Sequence, residues 1–189
     1  MGGTFDPIHF GHLLAAERAR EAADLDEVRF MPTFAPPHKT PLPHASPEDR
    51  LAMVRLAIAD HPQFRLETAE LERGGVSYSY DTAKLLTERE PENRWFWIVG
   101  GDMVLYLPRW HRIESLAEMV TFLGVTRPGF TVTAGAIPEP LRKRVELIEM
   151  PEIGFSSSDI RERRSRGLSI RYAVPEPVRI YIEERGLYL

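Results

Sequence analysis

The sequence predicts an α/β protein built on a doubly wound parallel sheet, and three observations carry that prediction. Strand-like and helix-like hydrophobic patterns alternate along the chain, as they do when each parallel strand is returned to its sheet through a crossover. The chain opens on a glycine pair, Gly2-Gly3, that runs into a helical pattern, an arrangement that lets backbone approach a ligand. A length of 189 residues, with 43% hydrophobic and 28% charged residues, suits one buried core. Residues 1–189 are therefore read as a single domain whose C-terminal part, about 156–189, is helical.

Leu13, Ala16, Ala19 and Ala23 form an apolar stripe at helical spacing through about residue 23. Glu27 to Pro32 alternates, with Val28 and Phe30 on one face, as a strand would. Prolines at 36, 37, 41, 43 and 47 forbid helix and central strand between Thr33 and Pro47, leaving a long surface loop. Ser46-Pro47-Glu48-Asp49 reads as an N-cap with proline at the first helical position, followed by apolar Leu51, Val54, Leu56 and Ile58. Phe64 to Glu67 is a short strand, Gly74-Gly75 a turn, and Thr82 to Arg89 a helix capped near Ser79 or Asp81.

Arg94 to Val99 gives the best strand pattern; Trp95 and Trp97 share one of its faces and are assigned to the core. It ends at Gly100-Gly101-Asp102, read as a second turn where backbone meets ligand. Ile113 to Met119 reads as helix, Thr121 to Thr126 as strand, Arg127-Pro128-Gly129 as turn, and 130–144 carries little pattern. Val145 to Met150 is a strand, and helices at Ser157 to Arg166 and Pro177 to Arg185 are closed by Gly167 and Gly186. The architecture calls for a strand delivering the first glycines, yet only Met1 precedes them. The first strand is therefore expected to be truncated, with about five further residues in a native product.

Composition narrows the chemistry. There are no cysteines, which excludes disulfides, thiolate metal sites and cysteine nucleophiles. A net charge of −4 argues against a nucleic-acid partner. No stretch reaches membrane length and no cationic apolar leader is present, so cytoplasmic residence is expected. No resident metal site is assigned; assembly into a homo-oligomer is left open.

The opening run holds the densest chemistry. His9 and His12, at i and i+3, share a helix face and can point at one anion. The helix is expected to aim its first free N–H groups there too. Gly3-Thr4-Phe5-Asp6-Pro7-Ile8-His9-Phe10-Gly11-His12 resembles the G-x-F-D-P-x-H-x-G-H signature of the nucleotidylyltransferase superfamily, with His9, Gly11 and His12 as its HxGH element. Pro36-Pro37-His38-Lys39 and Ser156-Ser157-Ser158-Asp159-Ile160-Arg161 resemble its P-P-H-K and S-S-T-x-I-R motifs, the latter with serine for threonine at 158. With these matches the chain is similar to bacterial nicotinate-mononucleotide adenylyltransferases over nearly all its length.

That resemblance implies a Rossmann-like nucleotidylyltransferase fold. It also implies transfer of the adenylyl group of ATP to nicotinate mononucleotide in NAD biosynthesis, with Mg²⁺ arriving bound to ATP. It places His9, His12, Lys39 and Arg161 in the catalytic set, and Gly2, Gly3, Thr4, Phe5, His9, His12, Ser157 and Arg161 around ATP. The substrate set is Thr82, Asp102, Trp110 and His111: Trp110 stacks on the pyridine ring, backbone N–H groups near Thr82 and His111 hold its carboxylate, and Asp102 lies near ribose hydroxyls. Two alternatives stay open. One is another HxGH enzyme, acting on pantetheine phosphate as an adenylyltransferase or on glycerol phosphate as a cytidylyltransferase. The other is a non-catalytic nucleotide-binding module.

Overall fold

The computed structural model describes residues 1–34, 43–132 and 135–189. Their strands are β1 (Gly2–Gly3), β2 (Val28–Pro32), β3 (Phe64–Leu66), β4 (Trp95–Gly100), β5 (Val120–Thr126) and β6 (Val145–Glu149). Their α-helices are α1 (Phe10–Ala22), α2 (Pro47–Ala57), α3 (Ala69–Arg73), α4 (Ser79–Arg89), α5 (Gly101–Tyr106), α6 (Ile113–Met119), α7 (Glu139–Arg142), α8 (Ser157–Ser165) and α9 (Glu176–Glu184).

All strand pairs are parallel. They form two three-stranded sheets, β1-β2-β3 and β4-β5-β6, which meet where β1 approaches β4. The spatial order 3-2-1-4-5-6 is that of a Rossmann-like fold, whose ligands lie outside the carboxyl ends of the strands.

Period-two alternation sends successive strand residues into two cores. Val28, Phe30, Ile98, Leu123 and Val125 face one core, closed by Ala16 and Ala19 of α1, Met53 and Val54 of α2, Ile160 of α8, and Val178 and Ile182 of α9. Met31, Trp97, Val99, Val120 and Phe122 face the other, closed by Ala83 and Leu86 of α4, Val104 of α5, and Leu116 of α6. Helices on both faces are what doubly wound means in physical terms.

Several expectations need correction. Gly2-Gly3 is strand, not turn: Gly2 pairs with Met31 and Gly3 with Pro32. Neither glycine has positive φ; the left-handed residue is Phe5, at φ 50. Gly100-Gly101-Asp102 is likewise no turn, because α5 starts at Gly101, where an added Cβ would lie 3.0 Å from the Thr126 side chain. Gly101 serves close packing rather than chain reversal, whereas a Cβ at Gly100 would meet nothing within 4 Å. α4 begins at Ser79 with Tyr78 as its N-cap, three residues before the expected start, and no side chain caps it.

Candidate active site

A cavity of about 550 Å³ opens at the carboxyl ends of β1, β4 and β5. Its walls include Gly2, Gly3, Thr4, His9 and His12 from the opening run, Gly100 and Met103 after β4, and Thr126 and Arg127 at the end of β5. The segment before α4 and the stretch around Trp110 supply one end, Ile153 and Phe155 the other flank. The location is the one the strand order dictates.

The two histidines are brought together. His9 is the N-cap of α1, and its Nδ1 accepts the Gly11 N–H at 3.1 Å; His12 Nδ1 accepts the His9 N–H at 3.2 Å. Their rings stack with centroids 3.7 Å apart. Because each Nδ1 is an acceptor, each ring carries its proton on Nε2. His9 is buried, and burial lowers its pKa to about 4, against a smaller opposing pull from Asp159. It is therefore a neutral hydrogen-bond donor at pH 7 rather than a cation.

The first amides of α1 are not open to a ligand, contrary to expectation. Phe10 N donates to Ala173 O, Gly11 N to the His9 ring and His12 N to His9 O. At this turn the imidazoles, not the amides, line the cavity. Gly11 is required by the same geometry, since a Cβ there would lie 2.9 Å from two atoms of the His9 ring. Gly3 is required by Phe5, whose ring atoms would stand 2.9–3.2 Å from an added Cβ. Phe5 itself is buried beneath the site, its ring edge-on to His12 at 5.1 Å, so it supports the histidine instead of lining the cavity.

Ser157 and Arg161 grip the opening loop from behind. Ser157 Oγ donates to Pro7 O at 2.9 Å and Arg161 Nη1 to Asp6 O at 2.8 Å; neither residue lines the cavity. Three residues unforeseen in the sequence complete this grip. The buried Asp6 carboxylate accepts the amides of His44 and Ala45 and the Tyr188 hydroxyl, at 2.8, 3.1 and 2.8 Å. Fully buried Arg50 donates to the carbonyls of Thr4, Thr33 and Phe34. The local sequence gives no signal for Arg50, which follows Glu48 and Asp49 as a solvated charge would, while Asp6 lies between Phe5 and Pro7-Ile8, where a carboxylate is buried only when paired.

At the other end, Trp110 lines the cavity but also packs edge-on against Phe122 of the second core. Lining a cavity and packing against the core are thus not exclusive, since Trp110 does both. His111 lines the same end, its ring 4.6 Å from that of Tyr78. Thr82 does not reach the cavity. Its amide donates to Tyr78 O inside α4, and its hydroxyl donates to Glu70 and accepts from Arg73. The residues of this segment that do line the cavity lie earlier, Ser77, Tyr78 and Ser79 at the uncapped start of α4. Asp102 sits exposed on the first turn of α5, outside the cavity wall. Lys39 lies outside the described residues.

Comparisons with known proteins show the family and the fold. A family model described as cytidylyltransferase-like matches residues 1–163. A relative from Geobacillus thermodenitrificans, named "Probable nicotinate-nucleotide adenylyltransferase", is 51% identical over 188 residues, covering 100% of this chain and 84% of its own. A relative of the same name from Oceanobacillus iheyensis is 46% identical, with 100% of this chain and 94% of its own covered. Among solved structures, the Plasmodium falciparum nicotinic acid mononucleotide adenylyltransferase complexed with NaAD superposes with a TM-score of 0.80 at 21% identity. That match covers 99% of this chain and 94% of the other, a likeness of fold.

Proposed function

The chain belongs to the cytidylyltransferase-like family, in its nicotinate-nucleotide adenylyltransferase branch, and from that premise we propose how its cavity carries out the reaction. It transfers the adenylyl group of ATP to nicotinate mononucleotide, giving nicotinate adenine dinucleotide and pyrophosphate. A phosphate oxygen of the mononucleotide bonds to the α-phosphorus of ATP as the bond from that phosphorus to the bridging oxygen breaks. Pyrophosphate departs with the electron pair. Attacking oxygen and leaving group are both already anionic, so the protein needs no nucleophile or general base of its own; it must align two polyanions and stabilise developing charge.

The observation that carries this reading is the stacked His9–His12 pair, with both ring protons on Nε2, on the wall of a cavity whose far end is Trp110. A neutral, locked donor pair stabilises charge as it appears on the α-phosphate without binding the ground-state phosphates too tightly. Arg161 and Ser157 act as positioning residues, holding the loop that presents the histidines. Trp110 offers a flat face to the pyridine ring. A ring carboxylate needs donors only, and the first amides of α4, at Ser79 and Tyr80, take the role expected for the Thr82 region. The flank with Ile153 and Phe155 suits adenine. Lys39 is retained in the proposed catalytic set on its motif.

Mg²⁺ supplies charge neutralisation on the ATP phosphates. Among the described residues no three His, Asp or Glu side chains are grouped to hold a metal. Among the same residues no helix is long and apolar enough to cross a membrane. The test supplies MgATP with nicotinate mononucleotide, its amide or pantetheine phosphate and follows pyrophosphate release. Release is expected with the first; none with any of the three would favour a binding module.

A further inference from the structure

Phe5 holds a backbone conformation that bulky residues avoid. Its φ is 50, in the left-handed region, where such a side chain persists only if its surroundings over-determine it. Its ring lies 5.9 Å from that of Phe30 and stands edge-on to His12 at 5.1 Å, with an interplanar angle of 79°. Gly3 leaves room for that ring. The place of the ring beneath His12 therefore depends on the backbone angle at residue 5.

Both neighbours of Phe5 are held from the start of α2. On one side the Asp6 carboxylate accepts the amides of His44 and Ala45, which lead into the Ser46 cap. On the other, Arg50 Nη1 donates to the Thr4 carbonyl at 2.8 Å. Rotating the planar Thr4–Phe5 peptide changes Thr4 ψ and Phe5 φ together, so a donor fixed on that carbonyl fixes the strained angle. The guanidinium is itself oriented by the carbonyls of Thr33 and Phe34, at 2.7 and 3.0 Å, and Thr33 N donates to Gly3 O at 2.9 Å. Arg50 is fully buried, and these bonds go to main-chain carbonyls rather than to a carboxylate. Burying a charge in that way is costly, and a neutral side chain here would avoid the cost.

We propose that Arg50 is a positioning residue for adenylyl transfer: by holding the Thr4 carbonyl it keeps Phe5 left-handed, keeps the Phe5 ring beneath His12, and so keeps the stacked histidine pair in place on the cavity wall. This rests on the adenylyl-transfer reading above and deepens it, because Arg50 does not itself line the cavity. Its influence runs through one carbonyl and one ring.

The test uses Arg50→Lys, Phe5→Leu and the double variant in the full chain. Pyrophosphate release and thermal unfolding are measured on each, together with the NMR ring-proton resonance of His12, assigned by its loss in His12→Asn. Lysine keeps the charge but replaces the fork by a single nitrogen, which cannot hold the three carbonyls in one geometry. For Arg50→Lys, kcat is expected to fall about 10²-fold, the scale set by a small misplacement at a reacting centre, with KM for nicotinate mononucleotide within about threefold. The His12 resonance is expected to move with the Phe5 ring. Phe5→Leu should also lower kcat, and the double variant should fall no further than the lower single one, within about threefold, because both act on one link.

Losses that multiply in the double variant overturn the proposal. So does an Arg50→Lys protein with a lowered Tm but the kcat and His12 resonance of wild type, the mark of a merely structural arginine. If Arg50→Lys does not fold, Phe5→Leu decides: unchanged kcat and an unmoved resonance overturn the proposal, and a loss with a moved resonance upholds it. A wild type inactive on nicotinate mononucleotide overturns the reaction, while the His12 resonance still decides the link from Arg50 to His12.

Discussion

Gly11→Ala separates the geometry of the histidine pair from the stability of the fold. The added methyl would lie 2.9 Å from both Cε1 and Nδ1 of His9 and 3.7 Å from the Ile153 side chain. Contacts that short cannot persist, so the His9 ring turns away. It then loses the Gly11 N–H, now 3.1 Å from Nδ1, and its 3.7 Å stack on His12. The lost cap costs about 1 kcal/mol. Alanine in place of glycine within a helix returns about 1 kcal/mol. Stability measured by urea unfolding should therefore change little. Turnover should fall on the order of 10²- to 10³-fold, the usual cost of removing one transition-state donor. The assay is pyrophosphate release at saturating MgATP and nicotinate mononucleotide. A folded variant with turnover within roughly threefold of wild type would refute the assigned role of the His9 ring.

Acid should act on the same residue. The folded pKa of His9 is about 4, below its ordinary 6.5, so the unfolded chain binds the extra proton first. Its contribution is full above pH 6.5, declines as pH falls toward 4, and declines no further below that. Between pH 7 and 5 the wild type should lose roughly 2 kcal/mol more than His9→Asn, and parallel stability curves would contradict this. Tyr188→Phe removes one donor from the Asp6 carboxylate and should cost roughly 1.5–3 kcal/mol of stability, with kcat lowered more than KM for ATP; an unchanged unfolding midpoint counts against it. Thr82→Ala should cost about 1–3 kcal/mol, because its hydroxyl joins Glu70 to Arg73, while KM for nicotinate mononucleotide stays put. A selective rise in that KM would restore Thr82 to the substrate site.

The parts legible from sequence were those with strong period or fixed order. The strand expected at 121–126 is found at 120–126, and the helix at 113–119 and the Ser46-Pro47 cap of α2 lie where pattern put them, because apolar spacing reports which face is buried. The histidine pair was legible because its members are three apart on one turn. What escaped depends on contacts between distant segments. α3 has five residues, too few to show a period. Gly100-Gly101 carried the usual mark of a turn, but Gly101 has small size for a different reason, the Thr126 side chain beside it. The placement of Thr82 was beyond spacing, which does not show that its hydroxyl is already held by Glu70 and Arg73. Spacing likewise does not show that Ser157 and Arg161 hold the backbone of Pro7 and Asp6.

The grip on Asp6 also bears on when the enzyme becomes competent. Donors to that one residue come from 38, 39, 155 and 182 positions downstream. Closing the widest of these loops costs roughly 2.5 kcal/mol more than closing a ten-residue one, so the contact forms only once the intervening sheet is built. During synthesis the histidine turn leaves the ribosome early, and the tyrosine that steadies it emerges late. A nascent or stalled chain therefore carries the phosphate-binding motif without holding it in register, and ATP chemistry is deferred until the rest of the polypeptide has folded around it.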